Sequence, residues 1–294
     1  NRDRLKDNMW GYNRHTDQTV NIYSAFLQNE WKNDRWGILI GGRLDKHNMV
    51  DNVIFSPRAN LRFNPTQNIN LRLSYSSGFR APQAFDEDMH IENVGGTVAM
   101  IERAKDLKEE KSQSFSVSAD MYHRFGAFQT NLLIEGFYTR LTDVFVLGKP
   151  YDRGDGILVK TRSNGPGAKV MGLTLEGKVA YLSILQIQAG LTLQRSRYDE
   201  PHKWHDDAPA EKKIFRTPDT YGYFTATCTP IKPLSIALSG TYTGRMLVQR
   251  MDITAENAEL GKMPERKAEA IRTPRFFDLG VKLAYDFKLY KTVD

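Results

Sequence analysis

The side chains best suited to binding a ligand lie in a long polar segment, residues 77–111. Phe79 and Arg80 open this segment, and Phe85 and His90 follow within it. A planar guanidinium pairs well with anionic groups, and large aromatic side chains supply apolar contact area. We therefore predict that these four residues contribute to a ligand-binding surface. The alternative for Arg80 is that it braces the segment against the rest of the fold.

A second polar segment, residues 200–217, places Trp204 between two histidines. Trp204 is expected either to cover a ligand as an aromatic lid or to pack on neighbouring loops. His202 and His205 stand three residues apart beside acidic residues, a spacing that can bind a transition metal. Solvated loops carry such polar groups more often than metal sites do, so we predict no metal site.

Catalytic chemistry is not indicated. The sequence has no Gly-x-Ser-x-Gly turn, no His-Glu-x-x-His motif and no phosphate-binding loop. Its single cysteine, Cys228, excludes an internal disulfide. The formal charge of +6 comes from interspersed acids and bases without a basic tract, so nucleic acid is not an expected partner. We predict a non-enzymatic protein without a cofactor.

The candidate residues must be positioned by strands, because apolar and polar residues alternate along most of the chain. In residues 69–76 the side chains Ile69, Leu71, Leu73 and Tyr75 fall on one face and polar side chains on the other. Such runs predict about eleven strands and hardly any helix. Their approximate ranges are 20–27, 37–45, 58–64, 69–76, 114–123, 130–138, 158–181, 185–195, 220–228, 234–242 and 277–287.

The connections between these runs alternate between short and long. The short ones are 33–35, 65–68, 125–127, a turn around 183, and 230–233; the long ones are 46–53, 77–111, 149–156, 200–217 and 250–274. In an up-and-down barrel this parity places all short turns on one rim and all long loops on the other, as outer-membrane barrels do. The parity requires residues 158–181 to form one long strand with a bulge at 165–167; a separate hairpin there is the alternative. Residues 253–270 are expected to form either a short external helix or a loop.

Composition leaves two fold classes open. Mean hydropathy is −0.52, too polar for helical membrane spans, and a barrel strand needs only every second residue apolar. Aromatic residues near the strand ends favour membrane-interface girdles. They are Tyr23, Trp31, Trp36, Tyr138, Tyr181, Tyr198, Tyr242, Phe276, Phe277 and Tyr285. We predict an all-β, antiparallel, up-and-down transmembrane β-barrel, with a soluble β-sandwich as the alternative.

Five segments, taken in order, carry a family resemblance. They are 56–61 (SPRANL), 73–83 (LSYSSGFRAPQ), 106–112 (DLKEEKS), 135–140 (EGFYTR) and 172–177 (GLTLEG). This ordered set resembles TonB-dependent outer-membrane receptors. The resemblance implies a barrel of about 22 strands that encloses a plug domain. We interpret residues 1–294 as a C-terminal barrel portion with about eleven of those strands, and expect the plug, the early strands and the final strands to lie outside this chain.

The resemblance also implies a function and partners. It implies TonB-dependent uptake of a chelated metal nutrient (siderophore iron, cobalamin or haem) across the outer membrane of a Gram-negative bacterium. The expected partners are the TonB–ExbB–ExbD complex, a small-molecule metal chelate, outer-membrane lipid and a surface lipoprotein. In haem receptors of this family a histidine follows a Phe-Arg-Ala-Pro box, as His90 follows residues 79–82. The second box of that pattern is replaced here by residues 104–107 (AKDL), so His90 is either an axial haem ligand or an ordinary loop histidine. A passive porin-like channel and a soluble glycan-binding or adhesin module are the alternative functions.

Overall fold

A computed structural model describes residues 1–10, 14–83, 92–94, 97–154, 156–205, 208–253 and 266–287. These residues form nineteen β-strands. Their bounds are β1 Arg2–Met9, β2 Arg14–Lys32, β3 Trp36–His47, β4 Val53–Thr66, β5 Ile69–Arg80, β6 Glu92–Val94, β7 Thr97–Arg103, β8 Glu110–Phe125, β9 Phe128–Thr142, β10 Phe145–Asp152, β11 Leu158–Asn164, β12 Ala168–Tyr181, β13 Leu185–His202, β14 Glu211–Lys213, β15 Thr220–Ile231, β16 Leu234–Thr243, β17 Leu247–Ile253, β18 Arg266–Arg272 and β19 Phe276–Tyr285. Among the described residues, no helix has the length and apolar character needed to cross a membrane.

One large antiparallel sheet dominates the fold. Its strands follow the order β1-β2-β3-β4-β5-β8-β9-β12-β13-β15-β16-β19, and β14 pairs with β13. Each strand in this path is followed by the next main-sheet strand along the chain, which is the up-and-down connectivity of a barrel wall. The predicted runs map onto eleven of these twelve strands. The additional strand, β1, has a mostly charged sequence (RDRLKDNM) that gives no alternating signal.

Strand register shows that the apolar side chains share one face of this sheet, because directly opposite residues point to the same side. One continuous row runs Ile38–Leu61–Leu73–Val117–Gly136–Leu173–Leu193 across seven strands. At the far end, Leu238 pairs with Val281 and Ile236 with Leu283. We call this surface the apolar face.

The alternate side chains form a polar face on the other side. A second row runs Arg72–Ser118–Glu135–Thr174–Thr192. Asp278 pairs with Thr241, and Lys282 pairs with Ala237, in the same phase. The predicted separation of the two sets of side chains is therefore confirmed.

The apolar face is not covered by a second layer. Val281 is 71% exposed, Leu283 69% and Leu73 52%. A soluble sandwich would bury such side chains against a facing sheet. The buried apolar residues instead form small clusters among the loops, such as Val50, Ile54 and Ala81. The β-sandwich alternative is therefore wrong.

Aromatic side chains mark both ends of the apolar face. At the end with long loops, Tyr75, Phe115 and Tyr138 pair in one row; at the other end, Phe125, Phe128 and Tyr181 do so. Phe115 and Phe125 are ten residues apart in β8, about 33 Å along the strand. A strand tilt of about 40° reduces this to about 25 Å, the height of the apolar band of outer-membrane barrels. Tyr198 and Phe276, which we expected in a girdle, have the phase of the polar face and do not belong to it.

The connections obey the predicted parity. From β2 to β19, short turns lie at one end of the main sheet, and the connections 48–52, 81–109, 143–167, 203–219 and 244–275 lie at the other, which we call the loop end. The prediction of one strand over residues 158–181 was wrong: β11 ends at Asn164 and β12 begins at Ala168. The parity survives because β9 pairs directly with β12, so that β10 and β11 form a hairpin within the loop.

Two small sheets join the loops. β10, β11, β7 and β6 form one sheet, in which β7 and β11 are parallel and connect two different loops. β17 and β18 form an antiparallel ribbon. Ile253 and residues 266–270 therefore belong to strands and not to the helix considered for residues 253–270; residues 254–265 lie outside the described residues.

Candidate functional site: the loop end and the polar face

Three of the five predicted binding residues lie in the described part of the chain. Phe79 and Arg80 close β5 at the loop end, and Trp204 lies in the connection after β13. Phe85 and His90 fall outside the described residues. The structure thus locates Phe79, Arg80 and Trp204, and their role in binding stays a prediction.

Phe79 anchors the start of its loop. Its ring packs against the buried cluster of Val50, Ile54 and Ala81, which come from the β3–β4 connection, β4 and the residue after β5. The cluster joins two successive connections at the loop end. Phe79 therefore fixes the start of the connection after β5, at Ala81.

Arg80 joins the main sheet to the loop sheet. It lies opposite Glu110 of β8, and its guanidinium carbon is 5.6 Å from the ring centroid of Phe145, the first residue of β10. Glu110 accepts a hydrogen bond from the backbone N–H of Phe145 at 2.9 Å. The bracing role considered for Arg80 is thus visible in its contact with Phe145.

Trp204 packs on neighbouring loops. It is 6% exposed and contacts Ala208, Ala268 of β18 and, edge to face at 6.4 Å, Phe215. Its indole N–H has no hydrogen-bond partner within the described residues. The described residues also contain no group of three metal-ligating side chains. Burial lowers the pKa of His202, at the end of β13, below its ordinary value.

A buried polar group lies where β3 leaves the main sheet. Asp45 is 1% exposed and accepts hydrogen bonds from the hydroxyl of Ser24 at 2.6 Å and from Nε of Arg43 at 2.8 Å. His47 is fully buried, and its Nδ1 accepts the backbone N–H of Met49 at 3.0 Å. Burial lowers the pKa of His47, which favours the neutral ring with the proton on Nε2.

Arginines gather on the polar face of β3, β4 and β5. This arginine group comprises Arg43, Arg58, Arg62 and Arg72. Arg62 lies directly opposite Arg72 on one side and Gly37 on the other. A Cβ at Gly37 would come within 3.2 Å of the Arg62 Nε, so the missing side chain provides room for this guanidinium.

The arginine group is unbalanced. Asp45 pairs with Arg43, and Arg72 donates from Nε to the side-chain oxygen of Asn70 at 2.7 Å. The Nε of Arg62 is buried without a partner among the described residues. Like charges directly opposite each other in a sheet are destabilising unless an anion lies between them. This part of the polar face is therefore suited to contact an anion.

Farther along the polar face the charges balance. Tyr223 donates a hydrogen bond to Glu176, and Gln188 donates to the Tyr223 oxygen at 2.6 Å. Lys178 pairs with Glu176 at 3.1 Å. Asp120 accepts the hydroxyl of Tyr122 at 2.8 Å and the amide of Asn131. These networks are satisfied, so they stabilise the wall and leave little charge for a ligand.

Sequence reasoning missed the arginine group. Arg58 and Arg62 are four residues apart in one alternating run, which places them on one face of a strand. That spacing was a usable signal. Their proximity to Arg43 and Arg72, however, depends on the register of three strands.

The chain is similar to proteins of one family over nearly its whole length. The model of the TonB dependent receptor-like β-barrel matches residues 3–294. A search of curated proteins found no match.

Solved structures share the fold. The siderophore receptor PirA from Acinetobacter baumannii has a TM-score of 0.67 at 15% identity, covering 98% of this chain and 45% of its own. The ferric enterobactin receptor PfeA from Pseudomonas aeruginosa, a mutant in complex with enterobactin, has a TM-score of 0.67 at 16% identity, covering 94% and 39%. The iron transporter FrpB from Neisseria meningitidis has a TM-score of 0.63 at 16% identity, covering 92% and 39%.

The chain thus spans less than half the length of these solved receptors. Its up-and-down sheet, its two chemically distinct faces and the family model agree. The chain therefore belongs to the TonB-dependent receptor family, as part of the β-barrel.

Proposed function

We propose that this chain forms part of an outer-membrane receptor for the active uptake of an anionic metal chelate, a ferric siderophore. In a Gram-negative outer membrane the apolar face would contact lipid and the polar face would line the lumen. The chemistry required is binding and passage of a solute, and family membership supports a transporter over an enzyme.

The arginine group carries this proposal. It lies on the face assigned to the lumen, and Arg62 and Arg72 oppose each other between Gly37 and Ser118, with the nearest carboxylate of that row, Glu135, two strands beyond Arg72. An anionic chelate passing this wall would relieve the repulsion between the two guanidinium groups. The lumen wall formed by β12, β13 and β15 offers no comparable surplus, because Lys178 is paired with Glu176.

Charge favours some chelates over others. Ferric siderophores and haem propionates offer anionic groups to a binding site, whereas the binding of cobalamin does not depend on anionic groups. The similar solved receptors are described as siderophore, ferric enterobactin and iron receptors, which supports siderophore iron. Haem ligation by His90 remains a prediction, as does a contribution of Phe85 to binding. A passive porin is a weaker proposal, because the family model is that of an energised receptor.

The remaining parts of such a receptor belong to the same proposal. Residues 1–294 would be the barrel portion, and a plug domain would lie elsewhere in the protein. Energy would come from TonB, driven by ExbB and ExbD, and a surface lipoprotein would assist capture. If growth on the ferric siderophore requires TonB, this part of the proposal is supported. Growth that is unaffected by loss of TonB would contradict it.

Binding to the purified receptor tests the ligand class. Ferric enterobactin, haemin and cyanocobalamin serve as probes, with affinity measured by quenching of intrinsic fluorescence. The double variant Arg62→Gln, Arg72→Gln is expected to bind the anionic ferric chelate at least about tenfold more weakly, since each lost charge-assisted contact is worth roughly 1.5–3 kcal/mol. The affinity of this double variant for cyanocobalamin should equal that of the parent.

A matched control removes the same charge from the other face. Arg195 and Arg197 have the phase of the apolar face, so the variant Arg195→Gln, Arg197→Gln should bind the ferric chelate as the parent does. Equal affinity of the Arg62 and Arg72 variant and the parent would overturn the proposed role of the arginine group. Absence of binding to any anionic chelate would overturn the ligand class.

A further inference from the structure

Basic residues form one row at the loop end of the apolar face. Register places Arg140 opposite Lys169, Lys169 opposite Arg197, and Arg197 opposite Lys213. At a strand spacing of about 4.8 Å this row of four cations spans about 14 Å. Arg195, one step nearer the apolar band, lies opposite Met171. We call these five side chains the basic row.

The basic row is only partly neutralised. Asp199 receives both terminal nitrogens of Arg140, at 2.7 and 2.6 Å, and lies 3.8 Å from Lys169. Lys213 pairs with Asp219 at 2.5 Å. Arg195 and Arg197 are exposed and have no ion pair among the described residues. Five cations thus meet two carboxylates, which leaves a surplus of about three positive charges where like charges face each other directly.

The position of the row points to its partner. Its four paired cations begin directly beyond the last membrane-facing rung, where Tyr138 lies opposite Met171, and Arg195 lies on that rung itself. Charges at this level meet the headgroups of lipid and not its acyl chains. At the opposite end of the apolar face, the described strand positions of β2 to β19 carry no Lys or Arg. Among the described strand positions of the apolar face, the surplus therefore lies at the loop end.

A cavity beside the row combines charge with apolar surface. It has a volume of about 410 Å³ and is lined by Lys111, Arg140, Phe55, Pro57 and Tyr75, among others. Glu109 also lines the cavity and pairs with Lys111 at 3.1 Å, so the net positive charge comes from the adjoining basic row, while Phe55, Pro57 and Tyr75 supply apolar contacts. This is the combination that an amphiphile with an anionic headgroup requires.

We propose that the basic row and this cavity bind the phosphate groups of an anionic lipid in the outer leaflet of the membrane. Arg195, Arg197 and Lys169 contact phosphate, while Asp199 holds Arg140 in place beside them. The proposal rests on the placement of the chain in an outer membrane and is independent of the transported ligand.

Native mass spectrometry of the intact receptor in mild detergent tests the proposal. The probes are bis-phosphorylated lipid A, the same lipid without phosphates, and inorganic phosphate. The parent protein is expected to retain the phosphorylated lipid, and to lose it as salt is raised. The variant Lys169→Gln, Arg195→Gln, Arg197→Gln should retain at least about tenfold less phosphorylated lipid, because each cation near an anionic lipid surface contributes separately to binding.

The matched control is Arg58→Gln, Arg72→Gln, Lys282→Gln, which removes three charges from the polar face and should retain lipid as the parent does. Equal retention by both triple variants, or equal retention of the lipid without phosphates, would overturn the proposal. Competition by inorganic phosphate at millimolar concentration would identify a free-anion site and overturn it as well.

Folding of the variants is checked by their heat-modified migration on gels. If the triple variant does not fold, Arg197→Gln alone and the salt dependence of the parent decide the question. Arg197 has no ion pair among the described residues, so its loss removes charge without breaking an ion pair there. Retention that is insensitive both to this variant and to salt would contradict the proposal.

Discussion

Tyr223 of β15 donates a hydrogen bond to Glu176 of β12 across the strand that lies between them. The residue of β13 on the same rung is Gly190, opposite both of them. The ring of Tyr223 lies over this glycine, where an added Cβ would come within 2.6 Å of a ring carbon. The glycine is therefore a condition for a contact that reaches across the intervening strand β13.

The first prediction concerns this glycine. Gly190→Ala should displace the Tyr223 ring and break its bond to Glu176, lowering the free energy of unfolding by roughly 1–3 kcal/mol. Tyr223→Phe removes the hydroxyl, and with it both the hydrogen bond to Glu176 and the one from Gln188; it should cost roughly 1.5–3 kcal/mol, because the Glu176 acceptor is charged. Thermal unfolding in detergent measures both changes.

The matched control for Gly190→Ala is Gly177→Ala, since a Cβ at Gly177 meets no atom within 4 Å. It should leave stability unchanged or raise it slightly. The double variant Gly190→Ala, Tyr223→Phe should lose less unfolding free energy than the two single variants lose together. Full additivity would show that the glycine and the hydrogen bond are independent.

The second prediction concerns pH and His47, which lies beyond the last apolar rung of β3 at Leu44. Burial lowers its pKa below the ordinary 6.5. The unfolded chain therefore takes up a proton at a higher pH than the folded protein does. The contribution of neutral His47 to stability is complete above pH 6.5 and is lost as the pH falls below that value.

The comparison of the parent with His47→Gln isolates this contribution, because His202 also has a lowered pKa. The difference in melting temperature between the two proteins should be constant above pH 6.5 and should shift against the parent at lower pH. A difference that is flat from pH 8 to pH 4 would contradict the lowered pKa of His47. The rate of proteolysis within the adjacent connection, residues 48–52, measures the local stability around His47.

Eleven of the twelve wall strands and their parity could be predicted from the sequence, because period-two alternation survives in them, whereas the mostly charged β1 lacks it. Ile69, Leu71, Leu73 and Tyr75 occupy the face that the pattern predicted, and each pairs with an apolar or small partner in β8. The alternation also caused the one wrong strand. Residues 165–167 were interpreted as a bulge within one strand, although the chain there leaves one sheet and enters another.

The loop end could be predicted only in part. β7 pairs with β11 in parallel, so that Leu158 lies opposite Ala99, and no local pattern specifies such a partner. Phe79 and Arg80 were identified by type and spacing, but their neighbours Ile54 and Phe145 come from other connections. The basic row likewise depends on the register of four strands.

The third prediction concerns Trp204. Trp204→Ala should separate the connection after β13 from the β17–β18 ribbon, because it removes the largest side chain of the cluster with Ala208 and Ala268. The local cost is roughly 3 kcal/mol. Limited proteolysis should then cut within residues 203–219 faster than in the parent.

Trp204→Phe is the control, since it keeps a ring against Phe215 and removes an indole N–H that has no partner among the described residues. It should leave the cleavage rate near that of the parent. If both variants also bind the ferric chelate as the parent does, Trp204 packs the loops without covering a ligand. A loss of chelate binding in Trp204→Phe without faster cleavage would support the aromatic lid.

The last prediction separates a lipid-facing surface from a merely solvated one. Val281 is 71% exposed and lies midway along the apolar face of β19. In water, an arginine at such an exposed position would cost little. At the bilayer midplane of a barrel it costs roughly 2–4 kcal/mol, so Val281→Arg should lower folding yield and stability in bilayers. Ser239→Arg is the control, because Ser239 is exposed on the polar face and pairs with Gly280, the neighbour of Val281. It should be tolerated. If Val281→Arg and Ser239→Arg had equal effects in bilayers, the assignment of the two faces would fail.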